Sequence, residues 1–471
     1  MATTRRTFLK ISSAAASAAA LSHPLRAFAD ETKSIRAWRT SPHEEFASIP
    51  APSWQSGVPL SSLSIRLDPT SRAQKLLGFG AAMTDASCYL LGQLDDSARR
   101  ALLDDAFGPH GLRLSVARTT IGASDYSLNA YSYDDTPEPD PQLTHFSLDH
   151  DRKYILPVLR DARAVNPDLF LFSSPWTPPA WMKDNKSLLG GTMLNSYLPA
   201  YAQYFRRFLE GYSQAGVPIQ AVTVQNEVDT NQAGRMPQCQ WGQEYEMEFV
   251  AKHLGPALAD AHSDTKIWII DHNYNLWGRA LDELSDPEVY KYVDGIAWHG
   301  YVGTPDAMTR VHDAFPAKHA WWTEGGPDIS DPHYATDWSQ WSATFTGVLR
   351  NWARCICSWN LVLDEHGKPN IGPFSCGGVV TLDSKTHAIT RSGQYKAFAQ
   401  YSRVLDRDAH VFASNGDLPG ISHVAAENPD GTRVLILTNE ARGSEQTIQI
   451  ALADQILPIT LPPDSITTLA W

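Results

Sequence analysis

The sequence predicts an α/β fold, a (β/α)8 TIM barrel carrying a separate antiparallel β module, and three observations carry that expectation. From residue 76 to about 359 one theme repeats eight times: a short apolar or β-branched run, a loop rich in polar and aromatic residues, then a helical pattern. The ends of those runs are loaded with chemically competent side chains, as strand ends must be when a barrel gathers them into one pocket. Beyond residue 411 the pattern changes to short alternating strands such as 434–437 and 456–461, broken by Gly, Pro and the turn Asn428-Pro429-Asp430-Gly431.

Taken in order, the candidate strands lead into Gly78-Phe79-Gly80, then run at 112–118, 169–174, 219–225, 266–271, 295–299, 320–323 and 354–359. Helices between them are clearest at 196–212, where Leu198, Tyr201, Phe205, Phe208 and Tyr212 recur at three- and four-residue spacing, and at 244–261. Doubly wound open sheets alternate in the same way, so periodicity alone leaves that alternative open, and the placement of the chemical residues decides for the barrel. Residues 30–75 are expected to join the C-terminal strands, which divides the chain into 1–29, 30–75, 76–400 and 401–471.

The first segment reads as an export signal. Thr4-Arg5-Arg6-Thr7-Phe8-Leu9-Lys10 precedes an apolar run over 11–21 and then Ala27-Phe28-Ala29, the pattern of a twin-arginine leader with its cleavage site. That run is far short of the roughly 20 residues needed to span a bilayer. A periplasmic or extracellular protein without an integral membrane segment is therefore expected. Removing the leader takes away Arg5, Arg6, Lys10 and Arg26 and leaves 35 basic residues against 52 acidic ones, a formal charge of −17. Such a balance argues against nucleic acid as a partner. Five cysteines, Cys88, Cys239, Cys355, Cys357 and Cys376, are an odd set in a protein that folds before export, and they read as small buried hydrophobes. No Cys/His set at zinc spacing accompanies them.

The strand ends carry, in order, Asp85 after the first, Arg118 at the second, Trp176 after the third, Asn226-Glu227 at the fourth, Asp271-His272-Asn273 at the fifth, His299 and Tyr301 at the sixth, Glu324 at the seventh and Trp359-Asn360 at the eighth. Glycoside hydrolysis needs two carboxyl groups flanking the scissile bond, and Glu227 and Glu324 face one another if strands four and seven lie across a barrel mouth. Asn226 is placed to hold the sugar 2-hydroxyl, and Arg118 to keep a carboxylate ionised. His299 and Tyr301 are candidates to orient a carboxylate, Trp176 and Trp359 to stack on a sugar, and Asp85 to bind peripheral hydroxyls. A metal-dependent hydrolase built on Asp271, His272 and His299 is the competing chemistry. A barrel that binds carbohydrate without turnover is another alternative.

The stretches Gly78-Phe79-Gly80-Ala81-Ala82-Met83-Thr84-Asp85, Ser173-Ser174-Pro175-Trp176-Thr177-Pro178-Pro179-Ala180-Trp181-Met182-Lys183, Val224-Gln225-Asn226-Glu227 and Thr323-Glu324-Gly325 resemble the strand-end motifs of glycoside hydrolase family 30, the glucosylceramidase family. The resemblance implies a TIM barrel with an attached antiparallel β-sandwich side domain taking strands from both chain ends. It also implies a retaining double displacement with no metal or organic cofactor. By the same resemblance Glu227 is the acid/base, Glu324 the nucleophile and Asn226 the companion amide, while Asp85, Arg118, Trp176, His299, Tyr301 and Trp359 line the first sugar site. Glucosylceramide-like β-glucosides come first among the implied substrates, with β-1,6-glucans and β-xylosides open beside them. The chain departs from the mammalian pattern at Gly325-Gly326 and after Asn370, has Val228 where many relatives have proline, and carries an insertion at 228–241, with Arg235, Met236 and Trp241, that borders the acid/base.

Overall fold

The computed structural model describes residues 34–59, 63–232 and 234–471; the export signal expected at 1–29 lies outside them. Eight parallel strands close into a barrel: β1 (Gly78–Ala82), β2 (Val116–Thr120), β3 (Phe170–Ser174), β4 (Ala221–Thr223), β5 (Lys266–Asn273), β6 (Val293–His299), β7 (His319–Glu324) and β8 (Ala353–Ser358), with β8 returning to pair with β1. These are apolar runs buried on both faces, as parallel strands covered by helices require. Strand β2 starts later than its apolar run suggests, because Arg113 adopts a left-handed backbone (φ 57) and Leu112 and Leu114 pack as loop residues. The helix expected at 196–212 is Leu198–Gln214. That at 244–261 is broken into α-helical ends around a π-helical turn at Phe249–Leu254.

The amino-terminal end of the barrel interior is filled by side chains. Trp268 and Trp321 stack at 4.7 Å and both indole N–H groups donate to Asp294, beside Phe172, Val116 and Cys355. That plug leaves the carboxyl ends of the strands as the open side.

Ten further strands form one sheet drawn from both ends of the chain. Residues Arg36–Ser41 pair with the last strand, Ser465–Ala470, and Ser64–Lys75 pairs with both His410–Asn415 and Gln446–Leu452. Alternate residues point inward: Leu435 and Leu437, Ile448 and Ile450, Ile65 and Leu67, and Leu469 share one apolar core, so the sheet folds over on itself as a sandwich. Helices Trp338–Arg350 and Gly393–Ser402 lie between this module and the barrel. Ser342 bonds Thr438 at 2.7 Å, Gln400 bonds Thr40 at 2.8 Å, and Arg350 donates to the Ser414 carbonyl at 2.7 Å. All five cysteines are free thiols, and among the described residues no helix is long and apolar enough to cross a membrane.

Candidate active site

The organising group of the barrel mouth is a carboxylate supplied by an irregularity in β5. Ile270 and Asp271 have φ of 72 and 44, and the pairing of β5 with β6 slips between Ala297 and Trp298, so Asp271 is the extra residue of a β-bulge. A β-branched residue at positive φ is strained and persists only when its surroundings over-determine it. Here the Ile270 N–H is taken by Glu246 at 2.9 Å, and Arg279 holds Glu246 at 2.6 Å. The Asp271 carboxylate is fully buried and accepts five hydrogen bonds: from Arg118 (2.7 Å), Ser174 (2.8 Å), Thr223 (2.7 Å), Thr323 (2.7 Å) and His299 (3.0 Å). Burial would push its carboxyl up, but Arg118 and His299 hold it below the usual carboxylate range. With both oxygens occupied, Asp271 has no lone pair left for the metal set considered from sequence.

Arg118, also fully buried, distributes one fixed cation. Its Nη1 donates to Glu324 Oε2 at 2.5 Å and its Nη2 to Asn226 Oδ1 at 2.8 Å as well as to Asp271. The guanidinium lies 4.9 Å from the Trp176 ring centroid and 5.3 Å from that of Trp359. Because Arg118 occupies the Asn226 oxygen, the amide nitrogen of Asn226 is left to serve a ligand as donor.

Glu227 follows the three-residue strand β4 with a left-handed backbone (φ 52), its N–H bonded to the Asp271 carbonyl at 2.9 Å. Its Oε2 accepts from Thr230 at 2.8 Å, and its Oε1 faces His299 Nδ1 at 3.4 Å and His272 Nδ1 at 3.6 Å. Glu324 ends β7, held by Arg118 and by the Tyr301 hydroxyl at 3.1 Å. Gly325 is required next: a Cβ there would come within 2.3 Å of the Trp322 ring. His299 reaches both acids, with Nε2 3.7 Å from Glu324 Oε2, so the two carboxylates sit on either side of one imidazole. Burial would lower the His299 pKa, but Glu324, Asp271 and Glu227 raise it to about 9. Burial likewise would raise Glu227, yet His299, with His272 and Thr230, brings it down to about 2.

These groups open on a cavity of about 360 Å³ lined by Glu227, Glu324, Asn226, Tyr301, Trp176 and Trp359. Trp176 and Trp359 stack on each other at 5.0 Å and form one corner of the wall rather than two separate platforms. Asp85 is not part of it. Buried in the first turn of helix Asp85–Gln93, its carboxylate accepts from Tyr154 at 2.5 Å and contacts His150 at 3.3 Å. The acid that lines the cavity is Asp125, in the loop after β2, whose Oδ1 is buried without a hydrogen-bond partner. Burial, with Glu324 and Glu227 nearby, pushes its carboxyl well up.

Comparison with known proteins decides the family. Residues 76–405 match the glycosyl hydrolase family 30 TIM-barrel domain and 409–469 the family 30 β-sandwich domain. The chain belongs to glycosyl hydrolase family 30. It is 34% identical over 424 residues to an endo-1,6-β-D-glucanase of Neurospora crassa, covering 84% of this chain and 86% of that one. To the lysosomal acid glucosylceramidase of Mus musculus it is 29% identical over 440 residues, covering 87% and 84%. Among solved structures, an endo-β-1,6-glucanase superposes with a TM-score of 0.83 at 28% identity, and SrfJ from Salmonella typhimurium with 0.89 at 26%, each covering 93% of this chain and 99% of that one. The protein is thus a glycoside hydrolase acting on β-glycosidic bonds.

In this family 30 chain, sequence reasoning missed Asp125, although the rule that selected Asp85, an acid a few residues past a strand end, applies equally to the loop after β2. Asp271 stands in the sequence as one strand-end acid among several, and its centrality is hidden because a bulge leaves no pattern in the residue types. In the segment 228–241, Met236 reaches the cavity, Trp241 is buried against Tyr201 and Phe249, and Arg235 turns away to bond Gln232. The buried Lys183 anchors that segment through the Gln238 carbonyl at 2.6 Å.

Proposed function

We propose that this family 30 enzyme is a retaining hydrolase of β-1,6-linked glucan, with Glu324 as nucleophile and Glu227 as acid/base. The observation that carries the assignment is the unequal wiring of the two acids. Glu324 is fastened by Arg118 at 2.5 Å, a cation that keeps its proton at any working pH and leaves the carboxylate aimed at the cavity. Glu227 instead faces imidazoles, side chains whose charge is not permanent. Attack by Glu324 on the anomeric carbon with protonation of the departing oxygen by Glu227 gives a glycosyl-enzyme. Glu227 then takes a proton from the water that hydrolyses it. The Asn226 amide donates to the sugar 2-hydroxyl and Asp125 accepts from hydroxyls on the far side of the ring.

The glucan assignment is supported by the fungal and structural relatives named above, and by the polar Thr230, Gln232 and Asn273 on the cavity wall beside Glu227, where a departing hydroxylated sugar would lie. A glucosylceramide reading, with a place in sphingolipid metabolism, draws support from Val302 and Phe374, apolar and exposed at the same cavity. Proton NMR of the purified enzyme with a linear β-1,6-glucan, a β-xyloside and micellar glucosylceramide separates them. The expected result is cleavage of the glucan with the β-anomer appearing first. Turnover of glucosylceramide without turnover of the glucan would overturn the substrate, and an α-anomer first would overturn the retaining mechanism. Export by the twin-arginine route to the periplasm or beyond is part of the proposal, resting on Arg5-Arg6 and the apolar run behind them. Cell fractionation of an Arg5→Lys, Arg6→Lys variant tests it, retention in the cytoplasm being the expected outcome.

A further inference from the structure

The bulge that delivers Asp271 is held from outside the sheet. Ile270 and Asp271 take positive φ in succession, 72 and 44, a conformation that a β-branched residue resists. The Ile270 N–H donates to Glu246 Oε1 at 2.9 Å, an acceptor supplied by helix Gln243–Glu248. Glu246 Oε2 accepts from Arg279 Nη2 at 2.6 Å, and Nε of the same guanidinium donates to Glu283 at 2.8 Å, one turn along helix Trp277–Ser285. Both carboxyl side chains are fully buried and Arg279 nearly so. Burial, with Glu246 beside it, pushes the Glu283 carboxyl well up, so Arg279 and Glu246 are the charged pair. Arg279 Nη1 donates to the Trp241 carbonyl at 3.0 Å, and the Trp241 N–H closes on the Val228 carbonyl at 2.8 Å. One cation thus ties the bulge to the segment 228–241, whose Thr230 holds Glu227 at 2.8 Å. Neither Glu246 nor Arg279 lines the cavity.

We propose that Glu246 and Arg279 are positioning residues for the catalytic pair: Glu246 pins the bulge that turns Asp271 into the barrel, and Arg279 holds Glu246 and the segment 228–241 in one register. Without Glu246, the Ile270 N–H is a buried donor lacking an acceptor, next to two strained residues, and the strand relieves both costs by pairing regularly. Side chains alternate along a regular strand, so closing the bulge reverses the alternation on one side of it. Either Asp271 then leaves the interior, or His272 and Asn273 leave the cavity wall. The consequences reach both acids. The Asp271 carbonyl fixes the Glu227 N–H at 2.9 Å, and its carboxylate orients both His299 and the Arg118 that holds Glu324. Sugar binding depends less on the bulge, because Trp176, Trp359 and Asp125 line the cavity from beyond β3, β8 and β2. Loss of Glu246 is therefore felt in kcat rather than in KM.

The positioning role rests on Glu324 and Glu227 as nucleophile and acid/base, and its test keeps the two apart. kcat and KM are measured with 2,4-dinitrophenyl β-glucoside for wild type, Glu246→Leu, Ile270→Gly, the double variant and Glu283→Gln, with near-ultraviolet circular dichroism showing that each is folded. Glu246→Leu is expected to lower kcat roughly 30-fold, equivalent to about 2 kcal/mol, the scale of strain at one such residue, with KM within about threefold. Glycine adopts positive φ without penalty, so the double variant is expected to turn over faster than Glu246→Leu, although Ile270→Gly alone opens a hole in the core. A knot that serves stability alone predicts the reverse, because a cavity added to a broken ion pair lowers the rate further. Glu283→Gln replaces one neutral group by another and is expected to stay within about twofold of wild type. Wild-type kcat in Glu246→Leu, or a double variant no faster than Glu246→Leu, overturns the positioning role. So does a loss in Glu283→Gln as large as that in Glu246→Leu, which would place the effect in the buried charges rather than in the Ile270 bond. If Glu246→Leu does not fold, Arg279→Lys takes its place in the cycle: it keeps the charge without the fork that joins Glu246 to the Trp241 carbonyl, and roughly a fivefold loss is expected, recovered by Ile270→Gly on the same terms. The cycle compares rates within one chain, so it stands whichever glutamate attacks, whereas a full rate in Glu324→Gln would overturn the nucleophile alone.

Discussion

Glu324 and Glu227 face one cavity from strands across the barrel, yet their surroundings are built from different kinds of group. Glu324 is held by Arg118 and by the Tyr301 hydroxyl, neither of which changes charge in the range where proteins work. Glu227 is held by Thr230 and two histidines. A nucleophile must present the same anion at every step, whereas an acid/base must exist in two protonation states within each turnover. Fixed charge suits the first task and titratable charge the second. Asp271 makes both possible, because one buried anion orients Arg118 on one side and His299 on the other.

The largest expected effect removes the fixed side. Glu324→Gln is expected to lower kcat on every substrate by something on the order of 10⁵-fold or more, the scale on which loss of an enzymic nucleophile is felt. Glu227→Ala is expected to cost about 10²- to 10⁴-fold with poor leaving groups and little in kcat/KM with 2,4-dinitrophenyl glycosides. Steady-state kinetics on an aryl series checks both. Equal and uniform losses in the two variants would erase the distinction between the two acids.

The titratable side should be visible in stability as well. His299, raised to about 9 from an ordinary value near 6.5, contributes stability that is fully present below pH 6.5 and is lost as pH rises through 9. His299→Gln removes that contribution together with a pH-independent part from the partners left behind. The destabilisation measured by guanidinium unfolding is therefore expected to be larger at pH 6 than at pH 10, by about 3 kcal/mol for a shift of this size. A difference between variant and wild type that is flat with pH would show that His299 is neutral in the folded site.

Barrel and sandwich were legible because both depend on repetition: eight apolar runs with polar ends, then strands alternating at period two. The two glutamates were legible because strand ends must converge. What sequence did not show are features made by backbone irregularity. Strand β4 is only three residues long, so Asn226 and Glu227 lie past its end, and Glu227 takes a left-handed backbone that no residue pattern announces. The bulge at Ile270-Asp271 likewise turns an ordinary strand residue into the hub of the site. Partnership is equally hidden. The sequence offers Trp176 and Trp359 as platforms for a sugar ring, but each spends one face on the other.

Asp85 and Asp125 carry the smallest expected effect and the most direct check on how strand-end acids are chosen. Both follow barrel strands, and both are almost wholly buried. Their difference is in hydrogen bonding: Asp85 has Tyr154 and His150, while Asp125 presents an unpartnered oxygen to the cavity. A buried acceptor left unmade is costly, and a substrate hydroxyl would satisfy it. Asp125→Ala is therefore expected to raise KM roughly 5-fold, the equivalent of one uncharged hydrogen bond at about 1 kcal/mol. Asp85→Asn should leave KM within about twofold and instead lower the melting temperature, because it weakens a contact between helix Asp85–Gln93 and the residues around Tyr154. An unchanged KM in Asp125→Ala, or a raised one in Asp85→Asn, would mean that the sugar enters from the side on which Asp85 lies.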